Sequence, residues 1–233
     1  MNIFYKPGIT SKSLVLDAAE SNHCIKVMRY RKGDIVRLID GKGGYYTAEI
    51  ETDDRKACGI KIISVEENFE KLPYELHIAI APTKNMDRFE WFIEKATEIG
   101  ISKITPLICS RSERKMIRHD RLEKIVIAAM KQSVRAFKPV IERHIDYATW
   151  LKSGHTGTKY IAHCMESPKQ NLWQATLSDS ITILIGPEGD FTQEEVRLAE
   201  KHAFEAVSLG KSRLRTETAG IVACSAVSFK LNK

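Results

Sequence analysis

Short apolar runs dominate the start of the chain. Residues 2–5, 14–17, 34–40, 45–52 and 60–65 are rich in Ile, Val, Tyr and Thr, and Gly or Asp separates most of them. Each run predicts a strand. Between two of them stands Asp40-Gly41-Lys42-Gly43-Gly44, a hairpin signal because glycine accepts the positive φ of tight turns. Residues 23–30 predict a short helix. Strands of this number and length fit a small β-barrel, in which closure removes exposed edges. Residues 66–73, EENFEKLP, are polar and end in proline, which predicts a linker.

Beyond the linker the pattern changes to alternating strands and helices. Residues 75–81 and 104–109 predict strands, and residues 85–99 a helix with Met86, Phe89, Phe92, Ile93 and Ala96 on one face and Gly100 as its stop. A second helix is expected over 121–137. Residues 160–164 and 181–185 are continuous apolar runs of the kind buried in parallel sheets. Thr192-Gln193-Glu194-Glu195 is a capping box opening a helix to His202. After a last strand at 206–209, the final helix carries Ala219, Val222, Ala223, Ala226 and Val227 on one stripe. The expected architecture is α/β. A small amino-terminal barrel (1–70) precedes a carboxy-terminal domain (74–233) with a mostly parallel sheet.

The composition, 43% hydrophobic and 28% charged, excludes wholesale disorder, collagen and disulfide scaffolds. No apolar run approaches the roughly 18 residues that span a bilayer, and the first residues lack a secretory layout. Five scattered cysteines without zinc-ligand spacing predict thiols that are mostly buried, in a reducing cytoplasm, and no metal site. The net charge of +6 is unevenly placed. Residues 103–138 hold ten Lys or Arg against Glu113, Asp120 and Glu123, a local +7. Such a patch attracts phosphate, and nucleic acid is the commonest polyanion.

Two segments carry candidate chemistry. In Ile185-Gly186-Pro187-Glu188-Gly189-Asp190-Phe191-Thr192 an apolar strand runs straight into a glycine-bearing turn before a capped helix. Leu209-Gly210-Lys211-Ser212-Arg213-Leu214-Arg215-Thr216-Glu217-Thr218 joins the last strand to the last helix. The Gly-Lys-Ser within it is no phosphate loop, because Glu205 stands where that motif needs another glycine. Gly41-Lys42-Gly43-Gly44 is no dinucleotide fingerprint, because a strand follows it.

Together these segments, GPEGDFTQEE and SLGKSRLRTETAG, resemble the cofactor-binding segments of the bacterial 16S ribosomal RNA uracil N3-methyltransferases, a family of the SPOUT superfamily. HCIKVMRYRKGD resembles that family's amino-terminal RNA-binding signature, KNMDRFEWFIEKATEIGI its helix ending in Glu-Leu-Gly, and RLEKIVIAAMKQSVRAFKPVI its segment closing on Gln-Ser-x-Arg. These signatures occur in the family's order. Three departures stand out. Asp190 replaces a second glycine, Ser212-Arg213 a basic-then-aliphatic pair, and Lys131 a residue that is often acidic.

The resemblance implies a PUA-like barrel and a SPOUT domain tied in a trefoil knot, working as a cytoplasmic homodimer. It implies S-adenosylmethionine as methyl donor and 16S ribosomal RNA, or the small subunit, as partner. Gly186, Pro187, Glu188 and Gly189 would hold the donor, with His163 and Met165 from one neighbouring loop. Leu209, Gly210, Leu214, Thr216 and Thr218 would do so from another. Arg215 would stabilise charge developing on uracil oxygen. Glu217 is a candidate proton acceptor, although a carboxylate there also suits the helix start. Lys26, Arg29 and Arg31 on the barrel, and Arg111, Gln132 and Arg135 in the larger domain's cleft, would contact RNA, with Lys84 and Arg88 as weaker candidates. His23 reads as a helix cap or a base-stacking ring. Two competing readings share the fold: a knotted methyltransferase with another RNA target, and a non-catalytic RNA-binding assembly factor.

Overall fold

The computed structural model describes residues 3–232; Asn2, the first residue of the first predicted strand, lies outside them. The chain forms two compact units. One comprises Met1–Lys71 and Ile127–Lys138, the other Leu72–Val126 and Pro139–Lys233. The linear division expected at 70–74 therefore omits one feature: residues 127–138 pack with the first unit.

In the first unit, β1 (Ile3–Tyr5), β2 (Ser13–Val15), β3 (Ile35–Ile39), β4 (Tyr45–Thr52) and β5 (Gly59–Glu66) form one sheet in the order β1-β3-β4-β5-β2. β1 and β2 are its two ends, so the sheet is a curled half-barrel and not the closed barrel that edge removal predicts. Phe4, Val36, Leu38, Ala48, Ile50 and Ile60 fill its core. The hairpin forms as expected, with Asp40 Oδ1 accepting from the amides of Lys42 and Gly44 at 2.7 and 2.9 Å. Gly43 has no room for a side chain, since a Cβ would lie 2.3 Å from the Phe137 ring. The Gly43 amide donates to Ala136 O at 3.0 Å, which ties residues 127–138 into this unit. Lys131 has an explanation there too: its ammonium meets Glu20 at 2.6 Å.

The predicted helix at 23–30 starts earlier and changes type. Asp17 caps α1 (Ala18–Asn22), which runs on into a π-helical segment, His23–Val27, whose signature bond is Met28 N to His23 O at 2.9 Å. Helical patterning does not distinguish the wider turn, and such segments concentrate at functional sites.

The second unit holds β6 (Glu75–Ile80), α2 (Met86–Ile99), β7 (Lys103–Ile108), α3 (His119–Ser133, its end shared with the first unit), β8 (Val140–Ile141), β9 (Ile145–Asp146) and α4 (Tyr147–Leu151). Then follow β10 (Thr158–Ala162), β11 (Gln170–Asn171), β12 (Ser180–Ile185), α5 (Gln193–Lys201), β13 (Glu205–Ser208) and α6 (Thr216–Leu231). α3 ends four residues before its predicted stop, where Val134 takes a φ of +59°. The sheet order is β11-β13-β10-β12-β6-β7-β8, with β9 on β7, and every one of these ladders is parallel. Both faces are covered, which is why β12 is buried along nearly its whole length. Ala79, Leu107, Leu184 and Phe191 face α4 and α5. On the other side α6 packs against α2, where a Cβ on Gly220 would lie 2.5 Å from the Phe92 ring. The buried face of α6 runs through Gly220, Ala223, Cys224 and Val227, one step round from the apolar stripe, so Ala219 and Val222 are half-buried.

Candidate active site

The sheet register explains how distant segments meet. β10 lies between β12 and β13, and Ala162, Ile185 and Val207 sit opposite one another. Three parallel strands ending level place their following turns side by side at the carboxyl edge, where open α/β sheets bind ligands. Those turns enclose a cleft of about 800 Å³, within the range of small-molecule sites.

The turn after β12 is sterically defined. A Cβ on Gly186 would sit 3.0 Å from the Phe191 ring and 3.2 Å from its amide nitrogen. The Asp190 amide closes the turn on Pro187 O at 2.9 Å. The turn is also bonded to its surroundings. Thr216 Oγ1 donates to Gly186 O at 3.0 Å, and the Lys84 amide to Glu188 Oε1 at 2.8 Å. The helix behind it keeps the expected capping box, with Thr192 and Glu195 reciprocally bonded.

Gly210, in the turn after β13, has a φ of +123° and open space around its α-carbon. Its requirement is conformational, not steric. Arg215 is the N-cap of α6 without a side-chain cap, and its exposed side chain lines the cleft. After β10, Lys169 Nζ donates to the carbonyls of His163 and Met165 at 2.8 and 2.6 Å. The His163 ring is buried, and among the described residues neither of its nitrogens has a hydrogen-bond partner. Burial first, and the charge of Lys169 second, hold the imidazole below its ordinary pKa. A neutral imidazole carries one donor and one acceptor, and here both are unmet among the described residues.

Most of the predicted donor-binding residues come together here. His163, Met165, Gly186, Pro187, Glu188, Leu209, Gly210, Leu214 and Thr216 line the cleft with Arg215. Gly189 and Thr218 do not. Gly189 turns its carbonyl to Arg111, which donates to it at 2.7 Å. Glu217 lies off the cleft, buried, with Oε1 at 3.8 Å from Arg88 Nε. Arg111 is outside the lining and is spent on the turn after β12. Gln132 and Arg135 belong to the first unit, not to the larger domain in which they were expected. Lys26, Arg29 and Arg31 are exposed on that first unit, and Arg29 holds a φ of +61°. Sequence reasoning missed Lys169, Lys211 and Arg213, which add positive charge to the cleft. The local +7 segment draws attention away from them, and nothing in Ser167-Pro168-Lys169 marks a loop clamp.

Comparison with known proteins places the fold in a family. The RNA methyltransferase domain profile matches residues 70–228, and the RNA methyltransferase PUA domain profile residues 16–63. The chain is 34% identical over 213 residues to ribosomal RNA small subunit methyltransferase E of Rickettsia conorii, covering 88% of this chain and 85% of that protein. Its fold is similar to that of a Porphyromonas gingivalis protein described as a probable rRNA-methyltransferase, with a TM-score of 0.92 and 39% identity over 100% and 99% of the two chains. A ribosomal RNA small subunit methyltransferase E from Neisseria gonorrhoeae, solved bound to S-adenosyl methionine, is similar at a TM-score of 0.88 and 30% identity, covering 99% of this chain and 98% of that one.

Proposed function

The chain belongs to the RNA methyltransferase family that includes ribosomal RNA small subunit methyltransferase E, and from that premise we propose that it methylates N3 of one uridine in 16S ribosomal RNA. The methyl donor is S-adenosylmethionine. The carrying observation is the convergence of three turns on one cleft that brings Gly186, Gly210 and Arg215 together. The residues fit such a donor: the volume suits it, and the His163 ring offers the hydrogen bonds a nucleoside needs. Backbone groups of Gly186, Pro187, Leu209, Gly210 and Leu214 would hold it, beside Met165.

When bound, the donor supplies a methyl group on a sulfonium that departs as a neutral thioether and needs no acid. The chain must therefore orient the uracil and favour loss of its N3 proton. Arg215 does this in our reading, by stabilising negative charge on the uracil oxygen. Glu217 pairs with Arg88 and steadies the start of α6, so no proton is assigned to it. Lys26, Arg29 and Arg31 bind RNA phosphate or bases from the first unit. The homodimer, the trefoil knot and the cytoplasmic location implied by the family belong to the same proposal. Among the described residues no helix is long and apolar enough to cross a membrane.

Mass spectrometry of ribosomal RNA from a deletion strain tests the reading. One N3-methyluridine should disappear from the small-subunit RNA and return with the wild-type gene. An unchanged nucleoside profile refutes the assigned target.

A further inference from the structure

Asp190 stands where the resemblance leads one to expect glycine, and it holds a backbone that suits glycine. Its φ is +62°, in the left-handed region that costs most residues energy and that aspartate tolerates better than most. Its carboxylate offsets that cost with two hydrogen bonds. Oδ1 accepts from the Phe191 amide at 2.9 Å, a local contact. Oδ2 accepts from the Cys164 amide at 2.8 Å, 26 positions away. The second bond joins the turn after β12 to the turn after β10.

Cys164 lies between His163 and Met165, whose carbonyls Lys169 grips. The short backbone after β10 is thus held from both sides, by an ammonium on its carbonyls and a carboxylate on its amide. His163, Cys164 and Met165, the residues so held, all line the cleft, and the His163 ring is only 8% exposed, with both nitrogens unpartnered among the described residues. A neutral imidazole carries one donor and one acceptor. That pair suits an uncharged polar edge of a nucleoside and not a sulfonium.

We propose that Asp190 is a positioning residue of this chain: its carboxylate ties the turns after β10 and β12 together through protein groups alone, and so sets His163 to hydrogen-bond the nucleoside of the methyl donor. The proposal rests on the reading of the cleft as the S-adenosylmethionine site. Glycine at 190 would leave the spacing of the two turns free. Aspartate fixes it, so the ordering cost is met on folding and not on binding.

Two variants test this, Asp190→Gly and Asp190→Asn, each compared with the wild-type protein in three measurements. These are thermal melting, calorimetric titration with S-adenosylhomocysteine, and hydrogen exchange at the Cys164 amide. Asp190→Gly relieves the left-handed backbone while removing the tether, so its melting temperature should hold or rise. Its Cys164 amide should exchange roughly tenfold faster, and its dissociation constant should rise roughly tenfold, the worth of one charge-assisted hydrogen bond. Asp190→Asn keeps one acceptor oxygen, which can serve the Cys164 amide while its NH2 can no longer accept from Phe191. It should stay within about threefold of wild type in both of these readouts of the long-range bond. Wild-type exchange at Cys164 in Asp190→Gly would overturn the tether. A weaker affinity that merely follows a lower melting temperature in both variants would overturn the positioning role. If the wild type binds no S-adenosylhomocysteine, the functional reading fails, while the Cys164 amide still decides the tether.

Discussion

The two glycine-bearing turns that line the cleft are built on opposite plans. Residues 186–192 are bonded to four other segments, through Thr216, Lys84, Arg111 and Cys164. Residues 211–214 make no hydrogen bond among the described residues, and Gly210 bonds only to its neighbour Ser208. Anchors that must break together make local opening costly, whereas an unanchored turn adapts at little cost. One wall of the cleft is thus preset and the other is free to mould to its ligands. Arg215, the group proposed to act on uracil, marks the end of this unanchored stretch: its carbonyl accepts from the Ala219 amide at 2.8 Å, and the next residue, Thr216, is bonded to Gly186.

The largest expected effect is on that free wall. Arg215→Ala should lower turnover by roughly 10²–10³-fold, the range for removing one electrostatic stabiliser of developing charge. Affinity for S-adenosylhomocysteine should stay within several-fold, because the lost interaction belongs to the transition state. Single-turnover rates beside calorimetry separate the two. An equal loss of both would make Arg215 part of the binding wall.

Paired glycine substitutions sharpen the contrast. Gly186→Ala forces a Cβ against the Phe191 ring and amide, and overpacking of this kind costs about 1–3 kcal/mol. It should lower the melting temperature and cofactor affinity together. Gly210→Ala meets open space but strains a φ of +123°, in a turn whose neighbours do not resist adjustment. Affinity should fall while the melting temperature barely moves. Equal thermal losses would erase the distinction between the walls.

The same difference governs what could be read in advance. Glycine spacing and the capping box mark the turn after β12 in the sequence, and periodicity marks α2, β12 and α5. Partners distant along the chain leave no such mark. Arg111 reads as one more cation of a basic segment, yet it is committed to Gly189 and Phe191. Asp190 reads as a lapse from the family pattern, yet it carries a long-range bond. The short strands β8, β9 and β11 have two residues each, too few for any period to register. Residues 127–138 are helical by pattern whichever unit they pack with, so the pattern could not assign them.

A smaller effect separates the RNA-facing residues from both walls. Arg29→Ala should weaken RNA binding and reduce the salt dependence by about 0.7–0.9 in log–log slope if Arg29 meets one phosphate. Cofactor affinity should not change. Loss of both would contradict the assignment of Arg29 to RNA alone.

The least effect on either turn is expected from His77, within the body of the second unit's sheet. Thr105 gives its single hydroxyl proton to Glu142, so His77 must donate through Nε2 to Thr105 Oγ1, 2.7 Å away. Burial, followed by the charge of Lys103, pushes the imidazole down to about 3 from 6.5, against the pull of Glu142. Above pH 6.5 the ring is neutral in both the folded and unfolded chain. Below it the unfolded chain takes up a proton that the fold refuses, so stability falls with acidification toward pH 3. The slope is at most about 1.4 kcal/mol per pH unit. Burial raises the Glu142 pKa, but the bonds from Thr105 and Lys103 win and hold it below 4.5, so its contribution is lost only at lower pH. The interval from pH 6 to 5 therefore isolates His77 from Glu142. His77→Gln keeps a donor for Thr105 and removes its titration. It should reduce the slope of denaturant-measured stability across that interval, the remainder belonging to His155 and His163, which burial also holds below 6.5. S-adenosylhomocysteine affinity at neutral pH should be unchanged. An undiminished slope in the variant would place the acid sensitivity elsewhere, with His163 beside the cleft as the next group to replace.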